Sequence, residues 1–167
     1  NLCKFLKNEN YEVYNLDINP PKEYFDTNFT QVNILDFKDL KEKCCLIRPN
    51  IIFNLAARTD LDGKSLNDYK VNIIGTLNIC NIINNNFSKE EKPLYIHFSS
   101  MLIHKSGDNS FAPPSPNTLY GLSKLISEFI VLENIKNKSN FYIIRPTSIW
   151  GIGFKEPYAR FFKYVLE

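Results

Sequence analysis

LYIHFSS, residues 94–100, and TLYGLSK, residues 118–124, carry the reading of this chain. The first is a short β-rich run that ends in two hydroxyls, Ser99 and Ser100. The second opens a helix in which Tyr120 and Lys124 stand four apart. Residues at that spacing share one helix face, with Cβ atoms roughly 5–6 Å apart. A lysine held there keeps a cation near the phenol. Opposite charge favours phenolate, so the tyrosine pKa falls from about 10 towards the working range of a general base. Alone, Y-x-x-x-K is a weak motif and reads as a solvated helix start. Its setting changes that weight. Ser100 closes the preceding strand at its carboxyl end, the edge of an open parallel sheet where ligands bind. A hydroxyl there can hydrogen-bond a substrate oxygen and help stabilise charge as a carbonyl forms.

Outward from this stretch the chain alternates strand and helix. Residues 101–117 are loop, rich in Pro, Ser, Gly and Asn. The helix over 118–135 has Leu122, Leu125, Ile126, Phe129 and Leu132 as its apolar stripe. A strand over 141–145 is stopped by Pro146, and another helix is predicted over 158–166. Towards the N-terminus, a long helix over 67–87 places Leu66, Tyr69, Ile73, Leu77 and Cys80 on one face. Residues 50–55 (NIIFNL) suit a buried strand. Asp36 is predicted to cap a helix over 37–45, after a short strand over 31–35. Residues 12–17 (EVYNLD) form a strand that ends in an acid, and Leu2, Phe5 and Leu6 lie on the last turns of a helix. Strands alternating with helices of this length predict a parallel sheet covered on both faces, a doubly wound, Rossmann-like α/β fold. With no internal linker, residues 1–167 read as one domain.

Composition narrows the class. The chain has 167 residues, 44% of them hydrophobic, which suits a globular domain with a sizeable core. Net charge is +2, with acids and bases interleaved, so nothing points to nucleic acid or an anionic membrane. The four cysteines, Cys3, Cys44, Cys45 and Cys80, form no C-x-x-C and read as reduced packing residues of a cytoplasmic protein. No apolar run approaches the roughly 20 residues of a membrane span. The chain starts with Asn1 in what reads as a helix already under way, so truncation at both ends is expected.

A second group of residues has the character of a cofactor site. Asp17 ends its strand, where a carboxylate can accept from both hydroxyls of an adenosine ribose. It would repel a 2′-phosphate, which favours NAD over NADP. Its competing reading is a turn aspartate before Pro20. Asp36 follows the next strand, with capping as its competing role. Leu55, Ala56 and Ala57 end a third strand with mostly small residues, which allow either close approach of a ligand or tight packing. Asn72 and Gly75 lie in the long helix, and the glycine is expected to permit a close crossing, since it costs about 1 kcal/mol against alanine.

Taken together, these residues resemble the extended short-chain dehydrogenase/reductase family, in its NAD-dependent sugar-nucleotide epimerase/dehydratase branch. The resemblance rests on Asp17, Asp36 in NILDFKDL, NLAARTD (54–60), NIIGTLN (72–78), HFSS (97–100), YGLSK (120–124) and IIRPTSIWG (143–151), in order along nearly the whole chain. It implies that Tyr120 is the catalytic base, that Lys124 holds the nicotinamide ribose, and that Ser100 completes a triad. It implies that Asp17 binds the adenosine ribose and that Asp36 and Phe37 flank the adenine. Leu55, Ala56, Ala57 and Thr59 would line the phosphate and nicotinamide side, with Asn72 near the cofactor. Pro146 and Thr147 would approach the nicotinamide. Ser148 would face the sugar, together with Ser100 and Tyr120. A homodimer through the helices over 67–87 and 118–135 is also implied.

Departures from the family pattern sharpen the expectation. None of the six glycines forms the family's G-x-x-G-x-x-G, and the first strand that accompanies it is not seen. In such a fold that strand lies between the strand ending at Asp17 and the one ending at Leu55, so a gap is expected there, along with weak NAD binding by these 167 residues alone. The Asp-Glu pair that sugar 4,6-dehydratases carry after the catalytic hydroxyl is Met101 and Leu102 here, which transfer no protons. Leu102 also replaces the cysteine of enzymes that epimerise C3 and C5. His104 replaces a tyrosine and reads as structural. What remains is a nucleotide-sugar 4-epimerase, or a reductase or dehydrogenase acting on a keto sugar or other alcohol. A non-catalytic dinucleotide-sensing module is the rival outside enzymes.

Overall fold

The computed structural model describes residues 2–21, 28–105, 112–135, 140–147 and 149. Helix α1 (Leu2–Asn8) leads into strand β1 (Tyr14–Asp17), then β2 (Asn28–Gln31) and α2 (Phe37–Ile47). Strand β3 (Ile51–Asn54), a 3-10 turn (Leu66–Tyr69), α3 (Lys70–Asn86) and β4 (Leu94–Phe98) follow. A second 3-10 turn (Met101–Ile103), α4 (Leu119–Asn134) and β5 (Phe141–Ile144) complete the described elements. Helix α2 starts where Asp36 accepts from the Asp39 N–H at 3.1 Å, and stops at Arg48, whose left-handed backbone (φ 50°) turns its N–H onto the Cys44 carbonyl.

Every strand pair is parallel. β1 pairs with β2, and β3, β4 and β5 form a second sheet in that order. Among the described residues no ladder joins β1 to β3. The break falls at the place expected for a gap, and Tyr14 of β1 and Ile51 of β3 are exposed there. One apolar core nevertheless serves both sheets. It runs from Val32, Leu40 and Cys44 through Ile79, Ile82 and Ile83 to Tyr95, Val131 and Ile135. Helix α3 is central to it. Its Asn78 donates to the Ile34 carbonyl at 2.9 Å, and a Cβ on Gly75 would lie 2.9 Å from Ile34 Cγ2, so the glycine does permit a close approach.

Three local expectations need correction. The second strand ends at Gln31 rather than spanning 31–35. Asn33 explains this: its side chain accepts from the Leu35 N–H at 3.0 Å and its carbonyl from Asp36, so 33–36 close into a turn. On α3, Ile73 and Leu77 are only half-buried, while Asn72, Gly75, Thr76, Asn78, Ile79, Cys80, Ile82 and Ile83 face inward. On α4 the inversion is larger. Phe129 and Leu132 of the expected stripe are exposed, and the buried face is Tyr120, Gly121, Ser123, Lys124, Ser127, Glu128 and Val131. Small hydroxyl side chains let α4 lie close to α3 and β4 and bond to them. The helix over 158–166 and Ser148 fall outside the described residues.

Candidate active site

The site is built where β4 and β5 end. The Ser99 N–H donates to the Ile144 carbonyl at 2.8 Å and the Met101 N–H to the Pro146 carbonyl at 3.1 Å, so the two strand exits are stitched together. Ser100, buried and extended, caps the Met101–Ile103 turn by accepting from the Leu102 N–H at 3.1 Å. Its own hydroxyl hydrogen has no acceptor among the described residues. Helix α4 starts at Thr118, whose Oγ1 accepts from the Gly121 N–H at 3.0 Å. A Cβ at Gly121 would sit 2.1 Å from the Leu102 carbonyl oxygen. Only glycine allows the first turn of α4, with Tyr120, to press against the turn that Ser100 caps.

One helical turn further on is Lys124, 4% exposed, whose Nζ donates to the Phe98 carbonyl at 2.7 Å. An ammonium has three hydrogens, and no other acceptor for it occurs among the described residues. Burial pushes its pKa from 10.5 down to about 8, against the opposing pull of the Glu128 carboxylate. Glu128 is itself held by Arg145 through two bonds of 2.9 and 2.8 Å, which tie α4 to the end of β5. Tyr120 is buried, and its ring lies 6.2 Å from that of Tyr69 at 52°.

The residues expected on the cofactor side gather at the carboxyl ends of β1 and β3 and the start of α2. Asp17 is exposed and uses one oxygen to accept from the Asn19 N–H at 2.9 Å, so its turn role is present, while its second oxygen has no partner among the described residues. Asp36 is occupied as the α2 cap, with Phe37 exposed beside it. Leu55, Ala56 and Thr59 are exposed and Ala57 half-buried. Asn72 is different. It is 2% exposed, and its side chain accepts from the Arg58 N–H and donates to the Arg58 carbonyl and to Ser123 Oγ, at 2.9, 3.0 and 2.9 Å. It therefore clamps the loop after β3 to α4. Pro146 is half-buried, bonded to Met101, and Thr147 is exposed next to it.

Sequence reading put Tyr69 on a helix face without its contact to Tyr120, and missed several other residues that shape this region: His97, Ser123, Ser127 and the Glu128–Arg145 pair. A signal existed for some of them. Ser123, Ser127 and Glu128 recur at helical spacing with Tyr120 and Lys124, and a polar stripe is as periodic as an apolar one. All four cysteines are free; Cys44 and Cys80 are buried and Cys3 and Cys45 half-buried, and burial pushes the Cys44 thiol up to about 11 and the Cys80 thiol up to about 12. Among the described residues no cluster could hold a metal ion.

The described residues thus form a parallel α/β fold with a capped serine at one strand end and a buried lysine one turn after a tyrosine. Comparison with known proteins agrees. The profile of the NAD dependent epimerase/dehydratase family matches residues 1–167, and the chain belongs to that family. It is 27% identical over 143 residues to a UDP-glucose 4-epimerase of Mycoplasma pneumoniae, covering 79% of this chain and 41% of that protein. It is 31% identical over 120 residues to the UDP-glucose 4-epimerase of Mycoplasma genitalium, covering 65% of this chain and 34% of that one. The chain thus spans less than half the length of these relatives. Its fold matches the UDP-glucose 4-epimerase of Brucella ovis in complex with NAD, with TM-score 0.75, 20% identity, and coverage of 87% and 47% of the two chains. The exposed Asp17 carboxylate fits the adenosine end of such a cofactor, and the small, exposed Ala56 leaves room on its phosphate side.

Proposed function

We propose that the complete protein is an NAD-dependent nucleotide-sugar 4-epimerase in which Tyr120 is the acid–base residue. The observation that carries this is the buried Lys124 ammonium, one turn from Tyr120 on a helix start that packs against the Ser100 turn. The names of the two Mycoplasma relatives support the substrate class. NAD, when bound, supplies the hydride acceptor and donor. Asp17 would accept the adenosine ribose hydroxyls, Phe37 and Asp36 would border the adenine, and Leu55, Ala56, Ala57 and Thr59 would line the path to the nicotinamide. Pro146 and Thr147 would close its far side, and Asn72 would act by holding the Arg58 loop against α4.

The chain's own chemistry is proton transfer. Tyr120 takes the proton of the sugar hydroxyl at its phenolic oxygen and returns it after the carbonyl has turned over. Lys124, kept charged, holds the phenolate form within reach near neutral pH. Ser100 donates its uncommitted hydroxyl hydrogen to the same sugar oxygen, with Ser148 facing the sugar. Met101 and Leu102 offer no proton donor, which sets dehydration outside this reading. Tyr120→Phe in the complete protein should cut turnover about 10²–10⁴-fold, as loss of a general base does. Unchanged turnover would contradict the proposal. Interconversion of UDP-glucose and UDP-galactose without net NADH marks the epimerase. Stoichiometric NADH change marks instead a reductase or dehydrogenase of the same family.

The assembly we propose is a homodimer through α3 and α4. Ile74, Phe129 and Leu132 are exposed apolar residues on those helices, a surface that a second copy would cover. Phe129→Glu should convert the dimer to monomer in light scattering, and a wild type that is already monomeric would rule it out. A cytoplasmic setting, suggested by the four free thiols, belongs to the same reading. No helix among the described residues is long and apolar enough to cross a membrane.

A further inference from the structure

Beneath the site a file of buried polar side chains runs from β3 to α4. Asn54 Nδ2 donates to Tyr95 Oη at 2.9 Å, Tyr95 Oη lies 3.3 Å from His97 Nδ1, and His97 Nε2 lies 2.9 Å from Ser127 Oγ. Ser127 Oγ donates to the Lys124 carbonyl at 2.7 Å. Counting hydrogens fixes the direction of the file. The serine has one hydrogen, and the Lys124 carbonyl takes it, so His97 Nε2 must be the donor to Ser127. Burial and the Lys124 charge both oppose protonation of the ring, push its pKa down to about 3 and keep it neutral. With Nε2 the donor, Nδ1 then bears the lone pair and accepts from Tyr95, whose oxygen receives Asn54.

The file ends on the residue the proposed chemistry needs. Lys124 is tied to two consecutive residues of β4. Its ammonium reaches the Phe98 carbonyl at 2.7 Å, and its own carbonyl reaches the His97 ring through Ser127. We infer that His97 is a positioning residue, which acts through Ser127 to fix the turn of α4 that carries Lys124. The inference rests on the reading of Tyr120 and Lys124 as the acid–base pair. The groups facing this region are Lys124, Glu128 and Tyr120 of α4, Tyr95 of β4, Cys80 of α3 acting on Tyr95, and Arg145 beyond β5, bonded to Glu128. Lys124, the nearest cation, is the group a charged His97 would repel. A neutral ring holds the turn without lowering the Lys124 charge further.

The test uses the complete protein, with kcat/KM measured against pH for wild type, His97→Phe, His97→Gln and Ser127→Ala. Loosening Lys124 raises the Tyr120 pKa, so the acid limb should move up by about one pH unit in His97→Phe and Ser127→Ala. Glutamine, which keeps a donor and an acceptor, should restore most of the wild-type limb. Ser127→Ala covers the case in which His97→Phe does not fold. Imidazole nitrogen NMR should show His97 as the neutral Nε2–H form from about pH 5 to about pH 9. An acid limb that stays put in Ser127→Ala while Tyr120→Phe is inactive overturns this inference alone, as does an Nδ1–H ring. Full turnover in Tyr120→Phe brings down the acid–base reading and this inference together.

Discussion

The two sides of the candidate site are built differently. Around β4 and α4 the functional groups are buried and bonded to other elements: Lys124 to Phe98, Asn72 to Arg58 and Ser123, Glu128 to Arg145. Around β1, β2 and α2 they are exposed and, among the described residues, bonded to their own turns: Asp17 to Asn19, Asp36 to Asp39. The side proposed to move protons is held rigid before any ligand arrives, which is what orientation of an acid–base pair requires. The side proposed to hold the nucleotide offers open carboxylate oxygens and small residues instead. Substitutions on the first should therefore change chemistry and stability together, and substitutions on the second should change ligand affinity with little effect on folding.

The largest effect is expected at Lys124. Lys124→Met should lower kcat about 10²–10⁴-fold and yet stabilise the fold near neutral pH. The folded pKa lies at about 8, below the ordinary 10.5, so the charged form is disfavoured by folding. That cost is fully present below about pH 8 and is relieved as pH rises to about 10.5. Wild type should gain stability across that window and the methionine variant should not. The gain at neutral pH is on the order of 2 kcal/mol. Denaturant titration at several pH values reads it, and a destabilised Lys124→Met would break the contrast between the two sides.

Next comes Glu128→Gln, which keeps the shape but removes the charge that Arg145 grips. Loss of about 2 kcal/mol is expected, below the 3–5 of a fully buried pair because Arg145 keeps solvent contact. A thermal melt unchanged from wild type would mean that the pair holds nothing. His97 should then give the wild type an acid weakness. The folded ring has a pKa of about 3 against an ordinary 6.5, so the unfolded chain takes up a proton that the folded one refuses. Stability should decline as pH falls below about 6.5, by about 2 kcal/mol at pH 5. His97→Gln should lack that component. The smallest effect belongs to the open side: Asp17→Ala should raise the KM for NAD about tenfold, the worth of a charge-assisted hydrogen bond or two, with kcat and melting temperature unchanged. A fall in kcat as large as that of Lys124→Met would erase the distinction.

What the sequence made legible follows from which signals are local. Capping by Asp36, the strand over 94–98 and the placement of Ser100 depend on neighbours in the chain, and the structure has them where they are expected, while Thr118, read as the first residue of its helix, turns out to be the cap. Among the described residues β1 and β3 belong to separate sheets, which matches the gap expected between the strand ending at Asp17 and the one ending at Leu55. The inward face of α4 was not. Apolar periodicity identifies a stripe without saying what covers it, and the inner contacts of Ser123 and Ser127 are hydrogen bonds to Asn72 and His97, distant in sequence. The Asn33 turn was hidden in the same way, since β-propensity over 31–35 outweighed a single asparagine. Gly121 was visible as part of a motif, but its purpose, contact with the Leu102 carbonyl, needed three dimensions.

The central claim is that the polar face of α4 carries reversible proton transfer coupled to hydride exchange with NAD. The most direct measurement mixes the NAD-loaded complete protein with UDP-glucose under single-turnover conditions and follows NADH absorbance. The account predicts NADH that rises and then decays to zero net change as UDP-galactose forms, with a flat trace in Tyr120→Phe. Galactose formation with no transient NADH, or a transient that survives in Tyr120→Phe, would contradict it.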